Sequence, residues 1–212
     1  MKLVIVESPT KSKTIGKFLG PDYKVMACVG HISDLATTGP GGLGVDIKND
    51  FKPTYVVQPD KVEVVKELKK AISKSDEVIL ATDPDREGEA IAWHLANEFK
   101  LPVESTPRWQ FHKITKNAIK LASQNPGLIN MSLVESQETR RIIDRIMGFR
   151  LSYLLHKKIK SRSAGRVQSV TLRFIVDREN EIRNFKPEEY WEIAGSFGPK
   201  NLEANLSSYQ DK

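Results

Sequence analysis

The stretch that most constrains this chain is "VILATDPDREGEAIAWHLA", residues 78–96. Four carboxylates, Asp83, Asp85, Glu87 and Glu89, follow directly on an apolar, strand-like run and lead into a helix-patterned one. Like charges this close repel one another, so a strand-to-helix junction holds them only where something compensates the charge. A helix N-terminus can do so for one or two of them, because its free N–H groups and dipole favour anions. Capping does not account for the whole set. The apolar flanks also place the cluster on rigid elements rather than in a solvated loop. A hard cation is the other compensator, and oxygen ligands without His or Cys partners suit magnesium.

The rest of the chain supplies a frame for such a site. "KLVIVESPTKSKTIGKFLG" predicts a buried strand over 3–6 and a helix with Ser8 as N-cap and Pro9 in its first turn. "YKVMACVGHISDLA" predicts a strand over 23–29 that ends in a turn at Gly30 and His31. In "KVEVVKELKKAISKS" the spacing of Val62, Val65, Leu68 and Ile72 is helical. After the strand "DEVILAT" and the helix "GEAIAWHLANEF", "TPRWQFHKITKNAIKLAS" adds one more strand and helix. This alternation predicts an α/β fold, a mostly parallel sheet with helices on both faces.

In such a sheet the carboxyl ends of the strands share the ligand-binding edge. Glu7 and Asp83 each follow a strand, so they are expected to meet there. In extended chain Asp83, Asp85 and Glu87 alternate onto one side, which predicts three carboxylates converging on Glu7. Lys11, in the first turn of the helix after Glu7, adds a cation beside free helix N–H groups, an arrangement suited to a phosphate. Lys13 reads as a surface lysine. "TTGPGGLGVDIKNDFKPTY" matches no phosphate-binding glycine pattern and reads as a mobile surface loop.

From Asn130 the pattern becomes helical, and the last residues begin to look like β-structure. The expected organisation is a metal-binding domain over 1–129, a helical region over 130–186 and the start of a β-containing domain over 187–212. Charge divides in the same way. The chain carries 33 Lys and Arg against 27 Asp and Glu. Residues 138–186 hold thirteen basic and five acidic side chains, a balance of +8, which leaves −2 for everything else. A polyanion held by the second part and processed at a metal in the first would need this division.

Within the basic part the helical period places Ile142, Ile143, Ile146, Met147 and Phe149 on one arc, and Arg140, Arg141, Asp144, Arg145 and Gly148 on the other. The arginine arc suits phosphates and unpaired bases. It equally suits a solvated face with Arg140 and Asp144 as an i, i+4 pair. In "SRSAGRVQSVTLRF", Ser163 and Gly165 are expected to open a helix whose N–H groups could take a phosphate beside Arg166 and Gln168, although Ser is also an ordinary N-cap. His31, His94, His112, Trp93 and Trp109 read as structural on their own. The single cysteine, Cys28, excludes an internal disulfide and a zinc site of paired cysteines. No apolar run approaches the ~18 residues of a membrane span, and the N-terminus lacks a signal-peptide core, so a cytoplasmic protein is expected.

Five stretches, "VIVESPTKSKTI", "VGHISDL", "LATDPDREGEAIAWHL", "ETRRIIDRIMGFRLSYLL" and "SAGRVQSVTLRFIVDRENEIRNFKPEEYW", together resemble the N-terminal part of bacterial DNA topoisomerase I, a type IA topoisomerase. The first part resembles its Toprim domain, a Rossmann-like fold. The carboxylates alone fit other Toprim proteins, and "SAGRVQS" with the Arg-rich helix narrows the likeness to type IA. The resemblance implies cutting of one DNA strand by a tyrosine, strand passage and resealing, with magnesium and without ATP, by an enzyme expected to be a monomer.

It also implies Glu7, Asp83, Asp85 and Glu87 as the acidic, magnesium-binding residues, Lys11 at the scissile phosphate and His31 on DNA. On the DNA-binding surface it implies Arg140, Arg141, Asp144, Arg145, Phe149, His156, Ser163, Ala164, Gly165, Arg166, Val167 and Gln168. Departures are Lys113, where Glu is usual, Phe149 for Tyr, and Tyr153 and His156 for Pro and Trp. None of Tyr23, Tyr55, Tyr153, Tyr190 or Tyr209 sits in the family's nucleophile motif. An N-terminal fragment that binds single-stranded DNA and magnesium without strand passage is therefore expected. A Toprim nuclease and a non-catalytic single-strand-binding module are the rival readings.

Overall fold

The computed structural model describes residues 1–160, 163–199 and 202–208; Arg162 of the basic segment and Tyr209 lie outside the described residues. In chain order the elements begin with β1 (Lys2–Val6), α1 (Pro9–Gly16), β2 (Tyr23–Ala27) and β3 (Ser33–Leu35). Then come β4 (Val45–Asp46), β5 (Lys52–Pro53), β6 (Tyr55–Val57), α2 (Val62–Ile72) and β7 (Glu77–Leu80). The chain continues with α3 (Arg86–Phe99), α4 (Lys116–Gln124), α5 (Met131–Ile159), α6 (Arg166–Asn184), β8 (Ala194–Phe197) and β9 (Leu202–Asn205).

The central strand is β1, paired in parallel with β2 on one side and β7 on the other, so that Val4 lies opposite Val25 and Ile79. Its side chains alternate as strand geometry requires. Leu3 and Ile5 pack with Leu68 and Ala71 of α2 and Ile91 and Leu95 of α3. Val4 and Val6 pack with Ile15 of α1, Ile119 of α4 and Trp109. These four apolar side chains of β1 are fully buried, each stabilising the fold by about 1.5–3 kcal/mol. Burial on both faces is why this strand reads as an unbroken apolar run. The fold is α/β as expected, a parallel sheet with helices on both sides.

Three local differences from the sequence reading have physical causes. β2 stops at Ala27 because Val29 and Gly30 take positive φ, 60° and 83°, and the Gly30 N–H turns to the Glu7 carbonyl at 2.9 Å. The segment around Trp109 meets the end of β7 through one parallel bridge, Leu80 to Arg108, and on its other side Arg108 forms one antiparallel bridge to Gly127. Pro107 has no N–H to extend that ladder. The Gly/Pro-rich segment is not a bare surface loop. It carries Leu43 and Val45 into a small core with Leu35, against which Tyr55, Ile142 and Ile146 pack. Gly44 makes this possible: its φ is +65°, and a Cβ there would lie 2.8 Å from the Ala36 nitrogen.

Helix α5 starts at its N-cap Asn130, whose side chain accepts from Leu133 N–H, and packs along α3. The chain divides into two compact units, Met1–Arg166 and Val167–Lys212. The second holds most of α6 and the antiparallel hairpin β8–β9, in which Ser196 faces Glu203. Among the described residues no helix is long and apolar enough to cross a membrane.

Candidate functional site

The carboxyl ends of β1 and β7 bring Glu7 and Asp83 together. The Lys11 ammonium lies between them, donating to both carboxylates. Local sequence explains the placement: Ser8 caps α1 by accepting from Lys11 N–H at 3.3 Å, with Pro9 in the first turn. Lys11 therefore falls one turn above Glu7, at i+4. Burial pushes the Glu7 carboxyl up, and the hydrogen bond it shares with Asp83 pushes it further, against the pull of Lys11. That shared bond holds Asp83 below the usual carboxylate range, helped by Lys11. Lys11, despite the opposing effect of burial, is raised by both acids.

Asp85 and Glu87 do not complete the expected convergence. Asp85 is the N-cap of α3 and accepts from Gly88 N–H at 2.7 Å. Glu87, in the first turn of α3, accepts from Gln137 of α5 at 3.3 Å and meets the His31 ring nitrogen at 3.2 Å. Among the described residues no three His, Cys, Asp or Glu side chains are gathered as metal ligands. The reason is that α3 begins at Arg86, so the alternation of an extended chain ends before Glu87. The fit to a cation therefore rests on Glu7 and Asp83. They present oxygen donors only, two carboxylates to one ammonium, with a positive group already seated between them. Two carboxylates are a sufficient protein contribution for magnesium, which keeps water and phosphate oxygens as its other ligands.

Asp85→Ala is expected to lower stability by about 1 kcal/mol through loss of the cap. Asp85→Asn, which caps equally well, should leave thermal stability unchanged. Any effect of Asp85→Asn on ion binding would then report ligation rather than capping.

Beneath the acids lies a pair not singled out from sequence. Arg108 and Glu89 are both fully buried and joined at 3.1 Å. Arg108 also donates to the carbonyls of Trp109 (2.8 Å), Asp83 (2.8 Å) and Leu80 (3.2 Å). Glu89 accepts in addition from Gln110 and from the Asn130 N–H, both at 3.0 Å. The available signal was Glu89 itself. It lies on the buried face of α3 with Ala92 and Ala96, and a buried charge requires a partner.

The arginines of α5 are divided between two environments. Arg141 holds Asp34 through a pair of hydrogen bonds, Nε at 2.9 Å from Oδ1 and a second guanidinium nitrogen on the other oxygen. Burial pushes the Asp34 carboxyl up, but the bonds from Arg141 and from Leu35 N–H outweigh it and hold the group low. Arg145 is buried, donates to the Leu35 and Ala36 carbonyls at 3.1 and 3.4 Å, and stacks 5.0 Å from the Phe149 ring. These two arginines thus tie α5 to residues 34–36 instead of forming an open basic face. The apolar arc is also split, with Ile142 and Ile146 packed inward and Ile143 and Met147 exposed.

Asp144 is gripped by Arg166 at 3.1 and 3.2 Å and lies 3.9 Å from Arg140. Ser152 of α5 bonds the backbone of Ala164, accepting its N–H at 3.0 Å, which fixes the turn of Ser163, Ala164 and Gly165 before α6. Phe149 and Tyr153 border a cleft of about 510 Å³ with Pro40, Leu43 and Ile47. His156 and Val167 are exposed, and Gln168 lies in the first turn of α6.

Comparison with known proteins agrees with this architecture. The Toprim domain family matches residues 2–114 and the DNA topoisomerase family matches residues 128–212. The full-length topoisomerase I of Thermotoga maritima, in a monoclinic crystal form, is 43% identical with a TM-score of 0.74, over 99% of this chain and 35% of that one. The chain belongs to the Toprim family and, through its second part, to the bacterial type IA DNA topoisomerases. It spans about a third of the length of the Thermotoga relative.

Proposed function

We propose that this chain is the metal-binding and strand-binding part of a type IA DNA topoisomerase, a cytoplasmic monomer that relaxes negatively supercoiled DNA without ATP. The observation that carries the reading is the pairing of Glu7 and Asp83 across a cation at the carboxyl edge of a parallel sheet, beside the N-terminus of α1. Glu7 and Asp83, with Asp85 turning in, would hold Mg2+. The ion supplies positive charge against a phosphate and a departing 3′ oxygen.

Lys11, at the N-terminal end of α1, would then turn from the carboxylates to the scissile phosphate. Glu87 holds or moves a proton at that 3′ oxygen, and its contact with His31 at 3.2 Å gives the proton a route. A single strand runs along α5 and the turn before α6. Arg140 and Arg166 face its phosphates, and Phe149 offers a ring to its bases. Arg141, Arg145, Asp34 and Asp144 fix the shape of that surface, with His156, Ser163, Ala164 and Gly165 along its border; Val167 and Gln168, in the first turn of α6, are assigned to DNA binding as well.

No tyrosine of this chain is assigned as nucleophile, so the chain is expected to bind a single strand and leave it intact. Anisotropy of a labelled single-stranded oligonucleotide, with duplex as competitor and with or without Mg2+, followed by a denaturing gel, tests this. Preferred single-strand binding with an uncut oligonucleotide is the predicted result. A magnesium-dependent cut would replace the topoisomerase reading with that of a Toprim nuclease.

A further inference from the structure

The acid site stands on a buried ion pair whose bonds go to the site itself. Arg108 has no solvent exposure, and its donors reach four acceptors: the Glu89 carboxylate and the carbonyls of Leu80, Asp83 and Trp109. The bond to the Asp83 carbonyl, 2.8 Å, fixes the backbone of the residue whose side chain faces Glu7 and Lys11. The bond to Leu80 reaches the end of the strand that delivers Asp83. Glu89 carries the other half of the linkage. One of its oxygens takes Arg108 and Gln110, and the other accepts the N–H of Asn130, the N-cap from which the arginine-bearing α5 starts.

A fully desolvated pair of this kind adds little net stability over an apolar pair of similar volume, and the geometry it imposes is its best-attested use. Here it locks the strand end, the acid turn and the start of α5 to one another. The planar guanidinium matters because it presents several donors in fixed directions, which an ammonium cannot reproduce.

We propose that Arg108, paired with Glu89, is the positioning residue of the acid site, holding the Asp83 backbone so that Asp83 and Glu7 present their oxygens to a divalent ion. The inference rests on the reading of Glu7 and Asp83 as the ion's ligands.

The experiment is a calorimetric titration of Mg2+ into the full 212-residue chain and its Arg108→Lys variant, with far-UV circular dichroism to establish that both are folded. Arg108→Lys keeps the charge opposite Glu89 but loses the fork, and it is expected to bind Mg2+ about tenfold more weakly. Equal affinity in a folded Arg108→Lys chain would overturn the proposal. A second readout needs no variant to fold: the Arg108 Nε–H resonance of the wild-type chain should shift in step with Mg2+ saturation. An Arg108 signal that stays in place while the chain saturates with Mg2+ would also overturn it. A wild-type chain that binds no Mg2+ at all is a different outcome, and it would remove the metal reading on which the proposal stands.

Discussion

Replacing Gly88 with alanine should cost about 3 kcal/mol of folding stability and remove divalent-ion binding with it. Gly88 lies in the first turn of α3, where the chain doubles back over the acid turn. A Cβ at this position would lie 2.8 Å from both the carbonyl carbon and the nitrogen of Asp83, and closer still to its carbonyl oxygen. These are backbone atoms, and Arg108 holds the same carbonyl from the other side at 2.8 Å. The Thr82 hydroxyl also donates to the Gly88 carbonyl at 2.6 Å, so the turn is closed at both ends and has little room to relax. Helix propensity works in the opposite direction, favouring alanine by about 1 kcal/mol. Thermal or denaturant unfolding of Gly88→Ala reads the balance. A chain as stable as wild type, or more so, would show that the acid turn is not packed against α3 as described.

The second large effect is a pH dependence carried by His94. This ring is buried among Tyr55, at 4.5 Å between ring centres, and Trp93, at 5.0 Å, with His31 at 6.1 Å. Burial pulls its pKa down to about 4, with a further push from His31 and a weaker opposing pull from Asp34. A histidine depressed in the folded state binds its proton first when unfolded. Its contribution to stability is therefore complete above the unfolded value of about 6.5 and is lost as pH falls toward 4. The interval corresponds to about 3 kcal/mol, of which about 2 kcal/mol falls between pH 6.5 and 5, before most carboxylates titrate. Denaturant unfolding across that range should show this slope in the wild-type chain and lose it in His94→Gln. An equal slope in both chains would place the titrating group elsewhere.

The frame of this protein was legible because its signals are local and repeated. A run such as Leu3, Val4, Ile5 and Val6 has few uses other than a strand buried on both faces, and Ser8 with Pro9 marks a helix start directly. The meeting of Glu7 and Asp83 followed from topology alone, because parallel strands bring their carboxyl ends to one edge. What the sequence concealed depended on where a turn ends. Asp85 and Glu87 were expected beside Asp83 by strand alternation, but α3 begins one residue after Asp85 and rotates Glu87 toward His31 and Gln137.

The partners of the α5 arginines were hidden for a related reason. Periodicity gives the face of a helix and not what lies opposite, and opposite Arg141 and Arg145 lie Asp34 and the carbonyls of Leu35 and Ala36, more than 100 residues earlier in the chain. The partnership of Arg108 with Glu89 is equally non-local. Each half could be noticed as a charge in apolar company, but only the folded chain joins them.

Titration of Mg2+ into the wild-type chain and a Glu7→Gln, Asp83→Asn double variant tests most directly whether Glu7 and Asp83 are the ligands of a divalent ion. Both substitutions keep size and hydrogen-bonding capacity, so the fold should persist. The prediction is saturable binding by the wild-type chain and binding at least about tenfold weaker in the double variant. A folded double variant that binds Mg2+ as tightly as wild type would show that Glu7 and Asp83 do not hold the ion.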